Sequence, residues 1–494
     1  MTTSIYSDFF ITKTGSKIPI LQNGKSIESK YNPEKDADIL LEQNNEKNDF
    51  FIVVGIGSGI FLTKLSQKFP SAKIIAVEYS KTDIDFLSEL ETIKNCLKNK
   101  NIIFSDFKNL KINILNNYIP AIYGNAKIIF QRIWAFENQN FQKEIKNEIQ
   151  TSLDIIALDY SVQSHFGKIW QKNIIENLFC LSKLKKTECI NPDRKKIALV
   201  IAAGPSLDKN IEIIKKTPED FYIISTDTAY GILLKNKISP DIVVSIDGQN
   251  ISTNHFFYKI DYSKTNFVFD LCANSCITKT ISKNSNKIFF FSNGHPFSEY
   301  AKNFSSSIKS IFTGSGTVTI AALDIAIKLN FKQIFILGAD FGYINNKPYA
   351  KGTYLDNIFS KDSFLTDSLE KKFTKLMFRT ELKKITSKKT TTSVLESYKF
   401  SLENFLHEQN IDFFIENNIY KISKNENINN DFIKNEKFDF NNFLKNLNSK
   451  DFSSQNIFLP YIAYLRTQKE FKDFNFEQLL KLAHYSIVRY NIMS

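Results

Sequence analysis

The segment Lys196-Ile-Ala-Leu-Val-Ile-Ala-Ala-Gly-Pro-Ser-Leu-Asp208 carries the clearest structural signal in the chain. Its apolar run, Ile197 to Ala203, breaks at Gly204-Pro205-Ser206, and a polar segment compatible with a helix extends from Asp208 to Lys216. This pattern predicts a buried strand, a tight turn and a helix N-terminus. A helix N-terminus offers backbone N–H groups and positive partial charge, and the glycine lets a ligand approach the backbone, so the turn suits a phosphate.

The spacing of this turn excludes two common phosphate-binding fingerprints. It is not the Gly-rich dinucleotide fingerprint, and it is not a P-loop because no Gly-Lys-Ser/Thr follows. We therefore expect a different nucleotide ligand, and our interpretation is a nucleotide-sugar.

Length and composition limit the class of protein. The 494 residues predict two or three domains, and 43% hydrophobic residues, with 45 phenylalanines, argue against a wholly disordered chain. The formal net charge of +12 is spread along the sequence without a dense basic stripe, so nucleic-acid binding is not favoured. The excess positive charge is suited to attracting an anionic substrate.

The sequence predicts a cytoplasmic protein with no membrane span. Residues Met1 to Asp8 lack the basic and apolar regions of a secretory signal, and no apolar run approaches the roughly 20 residues that cross a bilayer. The five cysteines are scattered, which is typical of reduced thiols. Cys272 and Cys276 lack a second ligand pair, so a zinc site is not expected.

A second glycine-rich turn lies nearer the N-terminus. Phe50 to Val54 and Lys73 to Glu78 have strand patterns, and Gly55-Ile-Gly-Ser-Gly59 with a helical segment lies between them. This is the order of a Rossmann-like half. Two interpretations stay open: a nucleotide or S-adenosylmethionine site with Glu78 on a ribose, or a turn that only packs helix against strand.

We expect an α/β protein in four segments. They are a Rossmann-like domain over residues 1–130, a helical connector over 131–190, a second parallel-sheet domain over 191–365 and a helical C-terminal region over 366–494. Residues 423–450 are rich in Asn and Lys, which predicts a linker or a mobile loop.

Six apolar runs in the second domain, separated by helical patterns, predict a parallel sheet covered on both faces. These runs are residues 197–202, 221–225, 242–246, 267–270, 288–291 and 334–337. In such sheets function gathers past the carboxyl ends of the strands. Small and polar residues follow several runs: Thr226-Asp227-Thr228, Asp247-Gly248-Gln249, Asn274, Ser292-Asn293-Gly294-His295 and Gly338-Ala339-Asp340.

Several motifs resemble the motility-associated factor (Maf) family of flagellin glycosyltransferases. They are Ala202-Ala-Gly-Pro-Ser-Leu-Asp208, Ser225-Thr-Asp-Thr228, Phe312-Thr-Gly-Ser-Gly-Thr317, Leu337-Gly-Ala-Asp-Phe-Gly-Tyr343 and, near the start, Ser29-Lys-Tyr-Asn-Pro33. The turn at Gly55–Gly59 has the position of that family's Rossmann-like N-terminal domain. The catalytic domain of the family is similar to bacterial sialyltransferases that use CMP-activated nonulosonic acids, so the second domain here is expected to be sialyltransferase-like.

The resemblance implies a flagellar function. It implies transfer of a nonulosonic acid, pseudaminic- or legionaminic-acid-like, from CMP to Ser or Thr of flagellin before export, in support of flagellar assembly and motility. The remaining parts of the chain are expected to present the acceptor or to mediate self-association as a homo-oligomer. The residues expected to bind the CMP donor are Gly204, Pro205, Ser206, Asp227, Asp247, Gly314, Ser315, Gly316 and Thr317. For the last group, an ordinary helix cap by Ser315 or Thr317 is the alternative.

Departure of CMP requires hydrogen-bond donors on its phosphate. The resemblance assigns this role to two tyrosines that follow the Gly-x-Asp-Phe segment. Tyr349, in Pro348-Tyr-Ala350, matches the second of them, and Tyr343 is displaced by one position from the first. Ordinary buried tyrosines are the alternative at both positions.

The general base is where the resemblance fails. The sialyltransferases carry a histidine ahead of the helix that corresponds to residues 392–408, and Thr386-Ser-Lys-Lys389 contains none. A Ser or Thr acceptor still has to lose its proton near the transition state. The candidates for this base are Asp340, Asp247 and His295, with weaker cases for His255 and His407.

We expect transfer without a metal or another cofactor, because no Asp-x-Asp motif accompanies the turn at Gly204 and a CMP donor has one phosphate. Three alternatives stay open. The Gly-Pro-Ser-Leu domain also resembles archaeal 6-hydroxymethylpterin pyrophosphokinases, which would require ATP and Mg²⁺. The other two are methyl transfer from S-adenosylmethionine at Gly55–Gly59 and flagellin binding without catalysis.

Overall fold

The chain is built on a four-stranded parallel sheet and a larger, mostly parallel sheet. The computed structural model describes residues 4–256, 261–314, 316–364, 367–424, 433–447 and 455–488. The first unit combines the chain up to Gly167 with the chain from Phe458 onward, and the second runs from Lys168 to Ile457. The α/β class expected from the sequence is confirmed, and the division into four segments stays a prediction.

Among the described residues, the strands of the first unit are β1 (Tyr6–Ile11), β2 (Lys17–Leu21), β3 (Phe50–Val54), β4 (Lys73–Val77), β5 (Ile102–Ser105) and β6 (Lys127–Phe130). Its helices are α1 (Pro33–Gln43), α2 (Ile60–Lys68), α3 (Lys81–Leu87), α4 (Glu91–Lys98), α5 (Phe107–Asn117), α6 (Pro120–Tyr123), α7 (Arg132–Glu137), α18 (Leu459–Arg466) and α19 (Phe476–Val488). Helix α8 (Gln139–Ser182) begins in this unit and ends in the second. The expected helical connector over 131–190 thus contains α7 and α8.

The first unit is built on a four-stranded parallel sheet with the order β5-β4-β3-β6. β3 is apolar and fully buried along its length, as expected for a strand with helices on both faces. The chain passes from β3 through β4 to β5 and returns on the other side of β3 as β6. The turn Gly55–Gly59 therefore begins where the strand order reverses, which agrees with a Rossmann-like half.

The second unit contains the strands β7 (Cys189–Ile190), β8 (Ile197–Ile201), β9 (Phe221–Thr226), β10 (Ile242–Ser245), β11 (Asn266–Asp270), β12 (Ile288–Ser292), β13 (Lys309–Ser310), β14 (Gln333–Leu337), β15 (Tyr343–Ile344), β16 (Lys383–Lys384), β17 (Lys389–Thr391), β18 (Asp412–Glu416), β19 (Ile419–Ser423) and β20 (Ile433–Lys434). Its helices are α9 (Leu207–Lys216), α10 (Asp227–Lys235), α11 (Ser275–Asn284), α12 (Pro296–Lys302), α13 (Val318–Lys328), α14 (Tyr354–Lys361), α15 (Leu369–Met377), α16 (Ser393–Glu408) and α17 (Phe440–Leu447). Short 3₁₀ helices span Pro218–Asp220, Asn250–Phe256, Gln455–Phe458 and, in the first unit, Lys469–Phe471.

The second unit is built on a nine-stranded sheet with the order β13-β12-β11-β10-β9-β8-β14-β19-β18. All six strands predicted from the sequence are present in it, and they pair in parallel. From β8 the chain moves outward strand by strand to β13, and α13 then returns it to β14 on the other side of β8. The order of the large sheet therefore reverses between β8 and β14.

The region after residue 366 contains helices α15 to α19 and also strands that the sequence did not predict. β19 and β18 extend the large sheet in antiparallel fashion, and β16 and β17 form a small sheet with β15. Of the predicted linker over 423–450, residues 425–432 and 448–450 lie outside the described residues. Between them, β20 pairs with β7, and α17 follows.

Candidate functional site

The candidate site lies at the reversal between β8 and β14, where the turns after these two strands meet. The N–H of Gly204 donates to the carbonyl of Gly338 over 2.8 Å, and the N–H of Ser206 donates to Oδ2 of Asp340 over 2.8 Å. In open α/β sheets the crevice outside such a reversal is the usual ligand site. The two motifs that the sequence singled out, Gly204–Ser206 and Gly338–Asp340, are therefore brought together.

The glycines in these turns serve the contact between the turns. A Cβ on Gly204 would clash with the carbonyl oxygen of Gly338 and the carboxyl of Asp340, and a Cβ on Gly338 would clash with the carbonyl oxygen of Ala202. Gly338 also has a φ of +72°, which a residue with a side chain rarely adopts. The structure thus shows Gly204 at a tight junction of two turns, and its expected role in admitting a ligand stays a prediction.

The expected free amides of the Gly204–Ser206 turn are not free. The Ser206 N–H is bound to Asp340, and the Leu207 N–H donates to the carbonyl of Gly204 over 3.0 Å. Pro205 has no N–H. These backbone donors are therefore bound by oxygens of the chain itself, and the assignment of Gly204, Pro205 and Ser206 to CMP binding stays a prediction.

The second helix start is also capped by its own residues. The N–H groups of Gly316 and Thr317 donate to the carbonyl of Thr313 over 3.0 Å each, and Oγ1 of Thr317 accepts from the N–H of Thr319 over 3.3 Å. Ser315 lies outside the described residues. A Cβ on Gly314 would clash with Ser401 and Ile320, whereas Gly316 has open space around it. The alternative of an ordinary cap by Thr317 is thus the one observed.

Asp340 is buried, with 4% of its surface exposed. Burial raises the pKa of its carboxyl, whereas the Ser206 N–H, the Ser206 hydroxyl and the charge of Lys389 lower that pKa. The Ser206 hydroxyl lies beside the carboxyl, but neither Ser206 Oγ nor Asp340 Oδ1 completes a hydrogen bond of normal geometry. Asp340 therefore fixes the turn through one oxygen and leaves the other without a partner.

Two more acids lie past the neighbouring strands. Asp227 is the first residue of α10 and is buried, and its Oδ2 accepts from the Ser245 hydroxyl over 2.6 Å. Asp247, past β10, accepts from the Gln249 N–H over 2.8 Å. Burial raises the pKa of Asp247, the Gln249 N–H lowers it, and the charge of Asp227 raises it further. The two carboxyls therefore interact electrostatically.

The predicted tyrosines, Tyr343 and Tyr349, interact with each other, and Tyr349 also interacts with Asp227. The Ala350 N–H donates to the carbonyl of Ala203 over 2.9 Å, which ties the segment of Tyr349 to the end of β8. Burial raises the pKa of Tyr349, and the nearby phenols of Tyr354 and Tyr343 and the charge of Asp227 raise it further. At neutral pH this hydroxyl is therefore a proton-bearing donor.

The structure adds two residues that the sequence did not single out. Burial raises the pKa of Tyr354, and the charges of Asp247 and Asp227 raise it further. Lys389 interacts with Asp340, and burial lowers its pKa. Tyr354 follows Tyr349 by five positions at the start of α14, which is the only signal that could have pointed to it.

The histidine expected as a base, His295, is not part of this site. It caps α12 past β12, four strands from β8, which at about 4.8 Å per strand is about 19 Å away. Its Nδ1 accepts from the Phe297 N–H over 3.2 Å, and burial lowers its pKa to about 3. Its ring packs edge-on against Trp170 of α8. His295 is therefore neutral, with Nδ1 occupied.

Helix α8 covers the strand ends between His295 and the reversal. Nδ2 of Asn173 donates to the carbonyls of Gly248 and Cys272, and Nδ2 of Asn177 donates to those of Leu271 and Ala273. These carbonyls lie past β10 and β11. Helix α8 thus packs on the loops past β10 and β11, and its contact past β10 is with Gly248, the residue after Asp247.

The glycine turn of the first unit is filled by the chain's own side chains. Glu78 is fully buried and accepts from the Tyr6 hydroxyl, the Ile56 N–H and the Trp134 Nε1–H. Both carboxyl oxygens of Glu28 accept from Ser58 over 2.9 and 2.7 Å. Glu78 is therefore not available to a ribose, and the packing interpretation of this turn is the one observed.

The described residues hold neither a membrane-spanning helix nor a metal-binding group. Within them, no helix combines the length and apolar character that crossing a bilayer requires. Across the same ranges, no group of three or more His, Cys, Asp or Glu side chains is placed to hold a metal ion.

The chain is similar to several known proteins. The model of the 6-hydroxymethylpterin diphosphokinase MptE-like family matches residues 172–346. An uncharacterized protein of Treponema pallidum (strain Nichols) is 40% identical over 140 residues, which are 28% of this chain and 50% of that protein. A second uncharacterized protein of the same strain is 32% identical over 142 residues, which are 28% of this chain and 67% of that protein. The chain thus spans about half the length of the first relative and two thirds of the second.

A solved structure is also similar at low identity. The Maf glycosyltransferase from Magnetospirillum magneticum AMB-1 aligns over 98% of this chain and 91% of its own, with 13% identity and a TM-score of 0.46. The fold class of this chain therefore rests on the sheet topology described above.

Proposed function

This chain belongs to one family with the second uncharacterized Treponema pallidum protein, and we propose that it is a glycosyltransferase that uses a CMP-activated nonulosonic acid. The acceptor is a Ser or Thr hydroxyl of flagellin, and the modification supports flagellar assembly and motility. The donor site is the crevice past β8, β9, β10 and β14. The motifs at Ala202–Asp208 and Leu337–Tyr343, which resemble the Maf family, support the choice of donor.

The observation that carries this proposal is the set of phenol hydroxyls beside two carboxyls at the strand reversal. Tyr349 and Tyr354 have raised pKa values and therefore keep their protons at neutral pH. Donors fixed in place before the reaction stabilise the charge that develops on a departing phosphate. Since the turn amides are already bound within the chain, the proposal assigns these hydroxyls to the phosphate of CMP.

Asp247 gives the nucleoside part its contact. Asp247 has one carboxyl oxygen bound to the Gln249 N–H, and Asp227 lies next to it past β9. Carboxylates at this edge accept hydrogen bonds from ribose hydroxyls. In this proposal the ribose binds to Asp247 and the phosphate faces Tyr349. Asp227, whose Oδ1 accepts from Thr228 and whose Oδ2 accepts from Ser245, holds the end of β9 in place beside them.

No metal is required in this proposal, because CMP has a single phosphate and the tyrosines supply donors to it. The positive net charge of +12 favours the encounter with the anionic donor. Flagellin as acceptor rests on the resemblance of the motifs, and the first unit, with its filled glycine turn, is assigned to holding the acceptor or a second copy of the chain.

A second candidate function is transfer of diphosphate from ATP to a hydroxymethylpterin. The match of residues 172–346 to the MptE-like family favours it. Such an enzyme needs carboxylates that bind Mg²⁺ and the ATP phosphates. Asp227 and Asp247, which follow the neighbouring strands β9 and β10, are the acids that would have this role.

The two candidates are separated by what the purified chain turns over. Release of CMP from CMP-activated nonulosonic acids, with flagellin present and EDTA added, is the result that the glycosyltransferase predicts. Formation of AMP from ATP, dependent on both Mg²⁺ and 6-hydroxymethylpterin, would replace that proposal with the diphosphokinase.

A further inference from the structure

One of the two histidines with a weaker case as the base, His255, lies in the candidate site. His255 is carried by the 3₁₀ helix Asn250–Phe256, in the loop that starts with Asp247 after β10. Its ring meets the ring of Tyr354 edge-on, with centroids 4.8 Å apart and an angle of 82°. Tyr354 in turn interacts with Asp227 and Asp247. His255 is thus in contact with the site.

Buried residues precede and follow His255 in its loop. Before it, the Ser252 hydroxyl donates to the carbonyl of Gln249 over 2.7 Å, and Ser252 is buried. After it, Phe256 is buried and packs against Tyr230 and Phe269. A side chain between two buried anchors has a defined position, which a catalytic group requires.

Asp247 gives the histidine an acidic partner. The charge of His255 lowers the pKa of Asp247, which burial and the charge of Asp227 raise. One oxygen of Asp247 accepts from the Gln249 N–H. A carboxylate near an imidazole stabilises the imidazolium that forms when the ring takes up a proton.

The other four histidines lack these surroundings. His295 is neutral, with Nδ1 occupied by the Phe297 N–H. His165, His407 and His484 pack against Phe166, Phe413 and Phe458 respectively. Among the described residues, His255 is the histidine next to the acids and tyrosines of the site.

We propose that His255 is the general base of the transfer reaction, with Asp247 as its positioning partner. This rests on the proposed function. The histidine that the resemblance expects ahead of α16 is missing, and His255 reaches the site from the loop after β10 instead.

The transfer is a single displacement at the anomeric carbon of the sugar. The oxygen of the acceptor hydroxyl forms a bond to the anomeric carbon of the sugar, and the bond from that carbon to the phosphate oxygen of CMP breaks. The electron pair of the broken bond leaves with CMP, which Tyr349 stabilises by hydrogen bonding. The acceptor proton passes to the imidazole of His255 and then to solvent.

The test compares His255→Ala with His407→Ala, a substitution of an exposed histidine on α16. CMP affinity is measured by calorimetry, and turnover is measured as CMP release from the CMP-activated nonulosonic acid that the wild-type protein uses. We expect turnover by His255→Ala to fall at least 100-fold, with CMP affinity within about threefold of wild type. Added imidazole should restore part of the lost rate, because it replaces the missing base. His407→Ala should resemble wild type.

The rates of the wild-type protein and of His255→Ala separate two negative outcomes. If the wild-type protein binds CMP and turns over a donor while His255→Ala keeps its rate within threefold, His255 is not the base, but the protein is still a glycosyltransferase. If the wild-type protein turns over no such donor, both the proposed function and the assignment of His255 are wrong. Should His255→Ala not fold, carbethoxylation of the wild-type protein replaces it. CMP should then protect His255 but not His407, and equal modification would overturn the assignment.

Discussion

The backbone N–H of Ser206 donates to Oδ2 of Asp340 over 2.8 Å, and this bond joins the turn after β8 to the turn after β14. These strands are neighbours in the sheet but are more than 130 residues apart in the chain, since the bond spans 134 positions. The carboxyl that the sequence suggests as a base therefore holds the crevice in shape. Asp340 is therefore expected to contribute to the stability of the folded second unit.

Asp340→Ala should lower the free energy of unfolding of the second unit by about 1–3 kcal/mol, because it leaves the buried Ser206 N–H without an acceptor. Asp340→Asn should lose less than about 1 kcal/mol, since its amide oxygen can still accept that bond. Urea unfolding of both variants checks this. Equal losses for the two would show that the bond to Ser206 is not what matters at this position.

Gly338→Ala should destabilise the second unit by more than about 3 kcal/mol, because the new Cβ clashes with the carbonyl oxygen of Ala202 and φ is +72°. Gly316→Ala is the matched control. Its φ of +85° carries the same backbone strain, but the space around it is open, so a loss of about 1–2 kcal/mol is expected. Thermal unfolding compares them, and a Gly316→Ala loss as large as that of Gly338→Ala would contradict the tight junction of the turns.

Tyr349→Phe should lower the rate of CMP release from the donor about 100-fold while CMP still binds, because the lost hydroxyl acts mainly on the departing phosphate. Tyr300→Phe, a substitution on α12 after β12, should leave the rate unchanged. Steady-state kinetics separates the two effects. A higher KM with an unchanged kcat in Tyr349→Phe would assign this tyrosine to binding alone.

The sequence predicted the parallel sheets well, because long buried strands such as Phe50–Val54 and Ile197–Ile201 are marked by continuous apolar runs. It also predicted that Gly204–Ser206 and Gly338–Asp340 lie together, since both follow strands of one sheet. It could not predict β18 and β19. The pairing of β19 with β14 joins residues about 90 positions apart, no local pattern records it, and β18 then pairs with β19.

The hydrogen bonds of the site could not be read from the sequence. The same glycine-containing sequence can form a turn whose amides are free to bind a ligand or a turn whose amides are already hydrogen-bonded. At Gly204–Ser206 the second case holds because Asp340 lies next to the Ser206 N–H. The same holds for Gly55–Gly59, where Glu28 and Trp134 fill the space. His255 was undervalued because it lies ten residues past the end of β10, beyond the positions where site residues are sought.

The first unit should lose stability as the pH rises from 5 to 8. Burial raises the pKa of Glu28 to about 7 and that of Glu78 to about 8, so the folded protein holds these protons more tightly than the unfolded chain. Below pH 4.5 both states are protonated and the stabilisation is complete. Above it the unfolded chain releases its protons first, and the free energy of unfolding falls by up to about 1.4 kcal/mol per pH unit for each group.

Tryptophan fluorescence in a Trp170→Phe background checks this, because Trp134, the other of the two tryptophans, is buried beside Glu78. Urea midpoints at pH 5.5 and 8.5 should differ in that background and converge when Glu28→Gln and Glu78→Gln are added. A midpoint that rises with pH would mean that both carboxyls are ionised in the folded unit.

Calorimetric titration of CMP into the full chain without metal would show whether a nucleotide binds past β8, β9, β10 and β14. We expect saturable binding that weakens at least tenfold in Tyr354→Ala, whose ring packs against His255, and that is unchanged in Tyr300→Ala. The absence of CMP binding, or CMP binding that Tyr354→Ala leaves intact, would rule out this site.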